Sequence, residues 1–252
     1  MRYTDNIIIL NETTVEKYSK DFENEKNFYK QNKHLKMPRV ISYDPFILER
    51  IYARHVNESD YSHIIKNLNH LHESTKTHII SEQDIRIEIY DKLVKRNTQY
   101  VHREYINGIK IKTYEEALEF MKHVRIPLCY KCIIHGDPHF DNIFVRDDEL
   151  IFIDPRGYFG NSILYGITEY DIAKVHFSLS GYNYFEHMND YSFTNHIDIP
   201  IHEKAFDIDF FTHILLCSIW LGNSHAYKGD KFDMSKHFAL YIFTLFCIKY
   251  NI

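Results

Sequence analysis

Glycine is scarce in this sequence, with eight residues in 252 and none before Gly108. A glycine-rich phosphate-binding loop needs several glycines close together, because side chains would keep the backbone N–H groups away from the phosphates. The first hundred residues therefore exclude such a loop. Any phosphate contact made in this part of the chain must come from other backbone groups or from side chains.

Cysteine and long apolar runs are also scarce. Of the four cysteines, only Cys129 and Cys132 have metal-ligand spacing, and no second C-x-x-C pair completes a zinc site, so buried thiols are expected. The longest apolar run, residues 238–248, is too short to span a bilayer and predicts a core helix. The N-terminal run at residues 7–10 is too short for a signal peptide, so we expect a cytoplasmic protein with reduced thiols.

The charge balance excludes another class of protein. The net charge is −5, whereas a general nucleic-acid binder normally carries a basic face. A hydrophobic content of 44% and a charged content of 26% are typical of a globular protein, and 252 residues are enough for one large domain or two lobes. We therefore expect no nucleic-acid partner and no membrane span, and nothing in the sequence indicates a protein partner.

The first fifty residues predict a small mixed lobe. Short strands are expected at residues 7–10 and 15–19, around a turn at residues 11–14. A helix is expected at residues 20–32, with Phe22, Phe28 and Tyr29 facing inward, and it is followed by a strand pair with a turn at residues 43–45.

The remainder of the chain predicts mainly helices. Ser59 is a candidate N-cap for a helix whose apolar residues keep helical spacing from Tyr61 to Leu71. Further helices are expected from Asp84, from Tyr114 and near the C-terminus. We therefore predict an α+β protein with a small lobe at residues 1–52, which includes a connector, and a larger, mostly helical lobe at residues 53–252.

One segment, IIHGDPHFDNIFVRDDELIFIDPRG at residues 133–157, carries the densest polar chemistry. Metal-dependent phosphoesterases also cluster histidine and aspartate, but two metals require six or more protein ligands, and the upstream Asp-x-His pair is absent. That alternative accounts for less of the spacing than phosphoryl transfer does. The side chains concerned are His135, Asp137, His139, Asp141, Asn142 and Asp154.

The spacing matches a kinase-type catalytic loop. Such loops contain His-x-Asp and an asparagine five residues after the aspartate, which here are His135, Asp137 and Asn142. An apolar hairpin then leads to Asp154 and is expected to place it beside Asn142. Together these two side chains could hold Mg²⁺ on the phosphates of a nucleotide.

The ordered set His-Gly-Asp, Asn, Ile-Asp and Tyr170-Asp-Ile-Ala resembles the aminoglycoside phosphotransferases, choline kinases and their relatives. The extended Ile-Asp-Pro-Arg-Gly motif resembles phosphotransferase-like proteins associated with capsule and surface-polysaccharide synthesis. The resemblance implies a protein-kinase-like, two-lobed fold with a reduced N-terminal lobe. It also implies that Asp137 is the catalytic base, that Asn142 and Asp154 bind Mg²⁺, and that His135 and Asp171 are structural residues at the site.

A kinase also needs a strand lysine for the phosphates and a helix glutamate that holds it. Lys17 fits the first role, with Val15 on the same strand face over the base, and Glu25 fits the second. The connector at residues 48–51, which begins Leu48-Glu49-Arg50, is expected to bind adenine through backbone groups. The turn at residues 11–14 either contacts phosphate in place of a glycine-rich loop, or the lobe binds nucleotide weakly.

These patterns predict a kinase that transfers a phosphoryl group from ATP or GTP, with Mg²⁺, to a hydroxyl of a small molecule, with a sugar, polyol or glycan precursor preferred. Arg156, in Asp-Pro-Arg-Gly, is predicted to be a catalytic residue that binds an anion, with a structural ion pair to Asp171 or Asp141 as the alternative. The competing hypothesis for the whole chain is a non-catalytic binding protein that kept the fold.

Overall fold

The computed structural model describes residues 7–18 and 22–252, which form two compact units. Among these residues, the first unit contains the chain up to Ile80 together with residues 128–175. The second unit contains Ser81–Pro127 and His176–Ile252. Every residue predicted to form the functional site lies in the first unit. The predicted lobe boundary at residue 52 stays a prediction.

The first unit begins with an antiparallel sheet of four strands in the order β1-β2-β4-β3. The predicted strands are confirmed to within a residue or two, although Ser19 lies outside the described residues. The turn before β4 contains a cis Asp44–Pro45 bond. The strands are β1 Ile7–Leu10, β2 Thr14–Tyr18, β3 Val40–Tyr43 and β4 Phe46–Glu49.

Helix α1, Glu23–Gln31, packs on this sheet. Phe22 joins Phe46 and Leu48 in a buried apolar cluster, against which Tyr29 and Val40 also pack. The helix was predicted for residues 20–32, of which residues 20 and 21 lie outside the described part of the chain. Its apolar face therefore fixes which way Glu25, one turn before Tyr29, points.

The rest of the first unit carries the polar segment. Helix α2 is preceded by a turn of 3₁₀ helix that Asn57 caps, so the predicted N-cap at Ser59 is wrong and the side chain of Ser59 instead donates to Asn57. Strands β9 and β10 form the predicted apolar hairpin, with β5 on the outer side of β9. The elements are β5 Arg54–His55, α2 Tyr61–Thr75, β8 Cys132–Ile133, β9 Ile143–Arg146, β10 Glu149–Phe152, β11 Tyr158–Phe159, β12 Ser162–Ile163 and β13 Tyr165–Gly166.

The second unit is mainly helical. Trp220 is fully buried at its centre, and the indole N–H donates to the Ser180 hydroxyl at 2.8 Å. The apolar run at residues 238–248 lies within α9, as predicted. Helix α6, Thr168–Leu179, begins in the first unit and ends in the second. The other elements are α3 Glu82–Arg86, a π-helical turn Ile87–Asp91, α4 Lys92–Lys95, β6 Tyr105–Ile106, β7 Ile109–Lys110, α5 Tyr114–His123, α7 Tyr182–His187, α8 Phe210–Asn223 and α9 Gly229–Tyr250.

The sequence predicted neither disulfide bonds nor a membrane-spanning helix. All four cysteines are buried and none forms a disulfide bond. No helix within residues 7–18 and 22–252 is both long enough and apolar enough to cross a bilayer.

Candidate functional site

Lys17 and Glu25 form a buried ion pair. The Lys17 Nζ lies 2.6 Å from the Glu25 Oε1, and about 5% or less of either residue is exposed. The pair joins β2 to α1, because strand alternation points Lys17 to the face on which α1 packs. The structure thus brings together the two residues that the sequence predicted to meet.

Asp154 is the second partner of Lys17. One of its carboxylate oxygens contacts the Lys17 Nζ, and nearly half of the Asp154 side chain is exposed. Its backbone has a φ of 52°, a left-handed conformation that non-glycine residues seldom adopt and that costs about 1–2 kcal/mol. Contacts on either side of the loop must hold it there.

One ammonium group between two carboxylates leaves an excess negative charge. Burial raises the pKa of Glu25 to about 7 even though Lys17 lowers it. Burial alone would lower the pKa of Lys17, but Asp154 and Glu25 outweigh it and hold that pKa above its ordinary value. The cluster therefore favours a charged lysine and takes up a proton on Glu25 near neutral pH.

A glycine explains how the Asp154 loop is held. Gly157 has a φ of 65°, and a Cβ there would lie 2.4 Å from the backbone oxygen of Asn24, on α1. Only glycine allows this close approach without a shift of backbone. The loop that carries Asp154 is thereby pressed against the helix that carries Glu25.

A cleft of about 380 Å³ opens beside Lys17. Val15 and Leu48 lie side by side on the same face of the paired strands β2 and β4, and both line the cleft; the base-binding role of Val15 stays a prediction. Such a volume and a mainly apolar lining are typical of small-molecule sites. The remaining lining residues are Ile8, Leu10, Lys17, Pro38, Glu49, Arg50, Ile51, Phe144, Ile153 and Asp154.

The turn at residues 11–14 lies at the connector end of this cleft. Thr14 pairs with Glu49 whereas Lys17 pairs with Phe46, which separates the turn from the lysine by three residues of strand, about 10 Å. The Arg50 guanidinium donates to the Asn11 carbonyl at 2.7 Å. The hypothesis that this turn replaces a glycine-rich loop over phosphates is therefore wrong, because the turn is fastened at the other end.

The connector residues are also engaged in the protein. The Glu49 N–H donates to the Arg39 carbonyl and the Arg50 N–H donates to the Thr13 carbonyl, both at 2.9 Å. The Glu49 carboxylate pairs with Arg146 at 2.9 Å, and this hydrogen bond lowers the pKa of Glu49. Two N–H groups expected to bind adenine thus already have acceptors, and the adenine-binding role of Leu48, Glu49 and Arg50 stays a prediction.

Asp171, on α6, holds the backbone of the polar loop. Its carboxylate is fully buried and accepts hydrogen bonds from the His135 N–H at 2.9 Å and the Gly136 N–H at 2.7 Å. A third bond joins it to the His72 Nε2 at 2.9 Å. The His135 ring lies between Phe28 and Phe152, with ring centroids 5.8 Å away on each side. Both residues therefore contact the loop or its neighbours from buried positions, and their structural roles at the site stay predictions.

Asp137 is presented by this loop. Its Oδ1 lies 2.8 Å from the Lys174 Nζ, and its Oδ2 lies 3.9 Å from the His139 Nε2. The Asn142 amide nitrogen donates to the Asp137 carbonyl at 2.9 Å. The His139 side chain is buried, not solvated.

A backbone hydrogen bond brings Asn142 and Asp154 close together. The N–H of Ile153 donates to the Asn142 carbonyl at 2.9 Å, which places Asp154 next to Asn142 as the hairpin predicted. Because the Asn142 amide nitrogen is bound to a carbonyl, its oxygen is the atom left to face a cation. A carboxylate and an amide oxygen suit Mg²⁺ or Ca²⁺. In the described part of the chain no three His, Cys, Asp or Glu side chains converge on one metal position, so phosphate or water oxygens must complete the shell.

Arg156 contacts two tyrosines. Its Nη1 donates to the Tyr170 hydroxyl at 2.7 Å, and its guanidinium lies 3.9 Å from the centre of the Tyr158 ring. Its backbone N–H donates to the His135 carbonyl at 2.8 Å, which ties the Asp154 loop to the Asp137 loop. Its role in binding an anion stays a prediction.

Two residues of the site were missed from sequence. Lys174 contacts Asp137 and His72 contacts Asp171, yet neither belongs to the polar segment. The spacing of Asp171 and Lys174, three apart on a helix, was a usable signal, because it places both on one face. No comparable signal marked His72.

The fold was compared with known proteins. No family model matches the chain, and no curated protein matches it in sequence. Among solved structures, the choline kinase LicA from Streptococcus pneumoniae superposes with a TM-score of 0.54 at 15% identity, over 95% of this chain and 89% of that one. The chain has the fold of the choline kinases and aminoglycoside phosphotransferases.

Two further structures agree. The choline kinase from Cryptosporidium parvum Iowa II gives a TM-score of 0.53 at 14% identity, over 98% of this chain and 89% of that one. A thermostable mutant of aminoglycoside phosphotransferase APH(4)-Ia, in a ternary complex with ADP and hygromycin B, gives 0.54 at 10% identity, over 96% of this chain and 93% of that one. The predicted kinase-like fold is confirmed, and the link to surface-polysaccharide synthesis stays a hypothesis.

Proposed function

We propose that the protein is a phosphotransferase that moves the γ-phosphoryl group of ATP or GTP to a hydroxyl of a small molecule. The observation that carries this proposal is the position of Lys17, which is buried between Glu25 and Asp154 at the end of an apolar cleft. A buried lysine held by a helix glutamate beside a metal-binding aspartate is the arrangement that phosphoryl transfer uses.

In this proposal the cleft binds the base of the nucleotide, and Lys17 binds its phosphates. Val15 and Leu48 form one wall against which the base packs, and the sugar and phosphates extend toward Lys17. Lys17 stays charged between its carboxylate partners, so it can bind phosphate oxygens at any physiological pH. Asn142 and Asp154 would hold a Mg²⁺ ion, which when bound neutralises charge on the phosphates.

Asp137 acts on the acceptor. Its carboxylate accepts the proton of the acceptor hydroxyl as that oxygen forms a bond to the γ-phosphorus, while the bond from the γ-phosphorus to the β–γ bridging oxygen breaks and ADP or GDP leaves. Asp171 and His135 keep the loop in place for this step. Arg156 binds an anion, which is either the transferring group or an acidic group on the acceptor.

The preferred acceptor is a sugar, a polyol or a glycan precursor. This preference is supported by the Asp-Pro-Arg-Gly motif and by Lys174 next to Asp137, since a cation there disfavours a cationic acceptor. Structures with the same fold include choline kinases and an aminoglycoside phosphotransferase bound to hygromycin B. Amino alcohols and aminoglycosides therefore belong in the same screen.

A second candidate is a nucleotide-binding protein without catalytic activity. The observation that favours it is the turn at residues 11–14, which lies at the connector end of the cleft and cannot cover phosphates. The presence of Asp137, Asn142 and Asp154 together favours catalysis, because nucleotide binding alone does not require all three.

Thermal unfolding with ATP or GTP, with Mg²⁺ or with chelator, tests the binding step. We expect stabilisation that is weak in chelator and stronger with Mg²⁺, and Asp154→Ala should remove the Mg²⁺-dependent part. Asp137→Asn should keep this stabilisation but lose about 10²–10⁴-fold in turnover of a screened acceptor, which is the usual range for a general base. Equal stabilisation in chelator would contradict the proposed metal site, and near wild-type turnover of Asp137→Asn would contradict the assignment of the base.

A further inference from the structure

Helix α6 reaches the Asp137 loop with two side chains. Asp171 and Lys174 are three residues apart, so they lie on the same face of the helix. Asp171 accepts from the backbone N–H groups of His135 and Gly136, and Lys174 contacts the carboxylate of Asp137. One helix therefore holds both the backbone of the loop and its reactive side chain.

The contact with Lys174 defines where the Asp137 carboxylate points. The last torsion of an aspartate is soft and roughly two-fold, so a loop backbone that is fixed does not by itself fix the two oxygens. Here Oδ1 lies 2.8 Å from the Lys174 Nζ in an ion pair, and Oδ2 lies 3.9 Å from the His139 Nε2. A fixed Oδ2 is what an approaching hydroxyl requires.

The ion pair is more shielded from water than most ion pairs within the part of the chain that the structure describes. The side chain of Lys174 is 15% exposed and that of Asp137 is 27% exposed. Lys26 and Glu23 form a pair of similar length, 2.7 Å, but the Glu23 side chain is 63% exposed. Shielding strengthens the attraction between charges, so Lys174 restrains its partner more firmly than a surface lysine does.

We propose that Lys174 is a positioning residue, which fixes the Asp137 carboxylate in the orientation that accepts the proton of the attacking hydroxyl. This inference rests on the proposed function and adds a residue outside the polar segment to its machinery. A lysine with a purely structural role would support the fold without altering turnover per folded molecule.

Kinetics of the full-length protein with MgATP, and with water as the acceptor, provide the first test, with ADP release as the readout. In Lys174→Met we expect kcat to fall about 10–100-fold, as for a misplacement of about 1 Å at the reacting group, with KM for MgATP within about twofold. Lys174→Arg should recover part of the loss, and Lys26→Met should behave as wild type. In an Asp137→Asn background, Lys174→Met should have no further effect, since the two act as one unit.

Crystal structures of the wild type and of Lys174→Met provide a test that does not depend on activity. We expect an unchanged loop backbone, because Asp171 still holds it, and an Asp137 carboxylate that is rotated or in two conformers. An unmoved carboxylate, or unchanged kcat in Lys174→Met, would overturn the inference. If the wild type turns over no MgATP with any acceptor, the proposed function fails while the crystal comparison still decides the role of Lys174. If Lys174→Met does not fold, Lys174→Gln takes its place in both tests.

Discussion

Replacing Asp171 by alanine should destabilise the protein more than any exposed carboxylate would. Its buried carboxylate accepts three hydrogen bonds, from the backbone N–H groups of His135 and Gly136 and from His72. A buried donor left without an acceptor costs about 1–3 kcal/mol, so three donors amount to about 3–9 kcal/mol. Water entering the space left by the carboxylate recovers part of this, and we expect a loss of about 4 kcal/mol in the free energy of unfolding.

Asparagine at position 171 keeps nearly the volume of aspartate but removes its charge and one hydrogen-bond acceptor. Asp171→Asn therefore tests charge and hydrogen bonding without leaving an empty space. Its amide oxygen can keep the two bonds made by Oδ2, but its NH₂ group must then face the N–H of Gly136. We expect a loss of about 2 kcal/mol for Asp171→Asn, from one missing bond and two weaker ones. The order of stability should therefore be wild type, then Asp171→Asn, then Asp171→Ala.

Urea unfolding followed by circular dichroism measures these losses. A protein of this size loses about 2–4 °C of melting temperature per kcal/mol, so Asp171→Ala should melt about 8–16 °C lower. The control is Asp148→Asn in the exposed hairpin turn, where asparagine tolerates the φ of 61° and the change should stay within about 0.5 kcal/mol. An Asp171→Ala protein as stable as this control would show that the buried hydrogen bonds do not hold the loop.

Three further predictions concern the charged groups around the cleft. Lys17→Met should weaken nucleotide affinity and Glu25→Gln should weaken it less, with a double variant less than additive in a binding cycle; strict additivity would separate the pair. Because burial raises the pKa of Glu25 from 4.5 to about 7, the folded protein keeps a proton that the unfolded chain has lost, so the free energy of unfolding should fall as pH rises between those values. The fall is at most about 3.5 kcal/mol, at about 1.4 kcal/mol per pH unit, and Glu25→Gln should flatten it; an equal slope in that variant would place the titration elsewhere. Arg156→Lys should lose its contacts with Tyr158 and Tyr170 and lower the melting temperature, and a parallel change in acceptor KM or kcat would show that it also binds an anion.

The parts of the site that sequence could predict share one property, which is that local geometry determines them. Lys17 and Val15 alternate on a strand, and Glu25 shares a helix face with the apolar residues that fix the helix. Asn142 and Asp154 meet because a short hairpin can close in one way. In each case the period of the strand or helix, or the length of the hairpin, limited which side chains could meet, and the kinase pattern supplied the pairing.

The parts that sequence missed depend on contacts between distant segments. The pairing of Thr14 with Glu49 determines at which end of the cleft the turn at residues 11–14 lies. The sequence pattern of a strand does not reveal which other strand it pairs with. Lys174 looks like any helix lysine until α6 is placed beside the Asp137 loop. His139 is buried, which its position in a polar segment did not indicate.

The close approach of Gly157 to Asn24 links two carboxylates that otherwise belong to separate segments. Glu25 follows Asn24 directly on α1, and Asp154 precedes Gly157 by three residues, so this close approach sets how near the two carboxylates come to Lys17. A compound that wedges α1 away from the sheet would then displace both carboxylate partners of Lys17, including the proposed metal ligand Asp154. Such a compound would disturb Lys17, Glu25 and Asp154 together without occupying the cleft. Replacing Gly157 by a residue with a larger side chain should have the same effect.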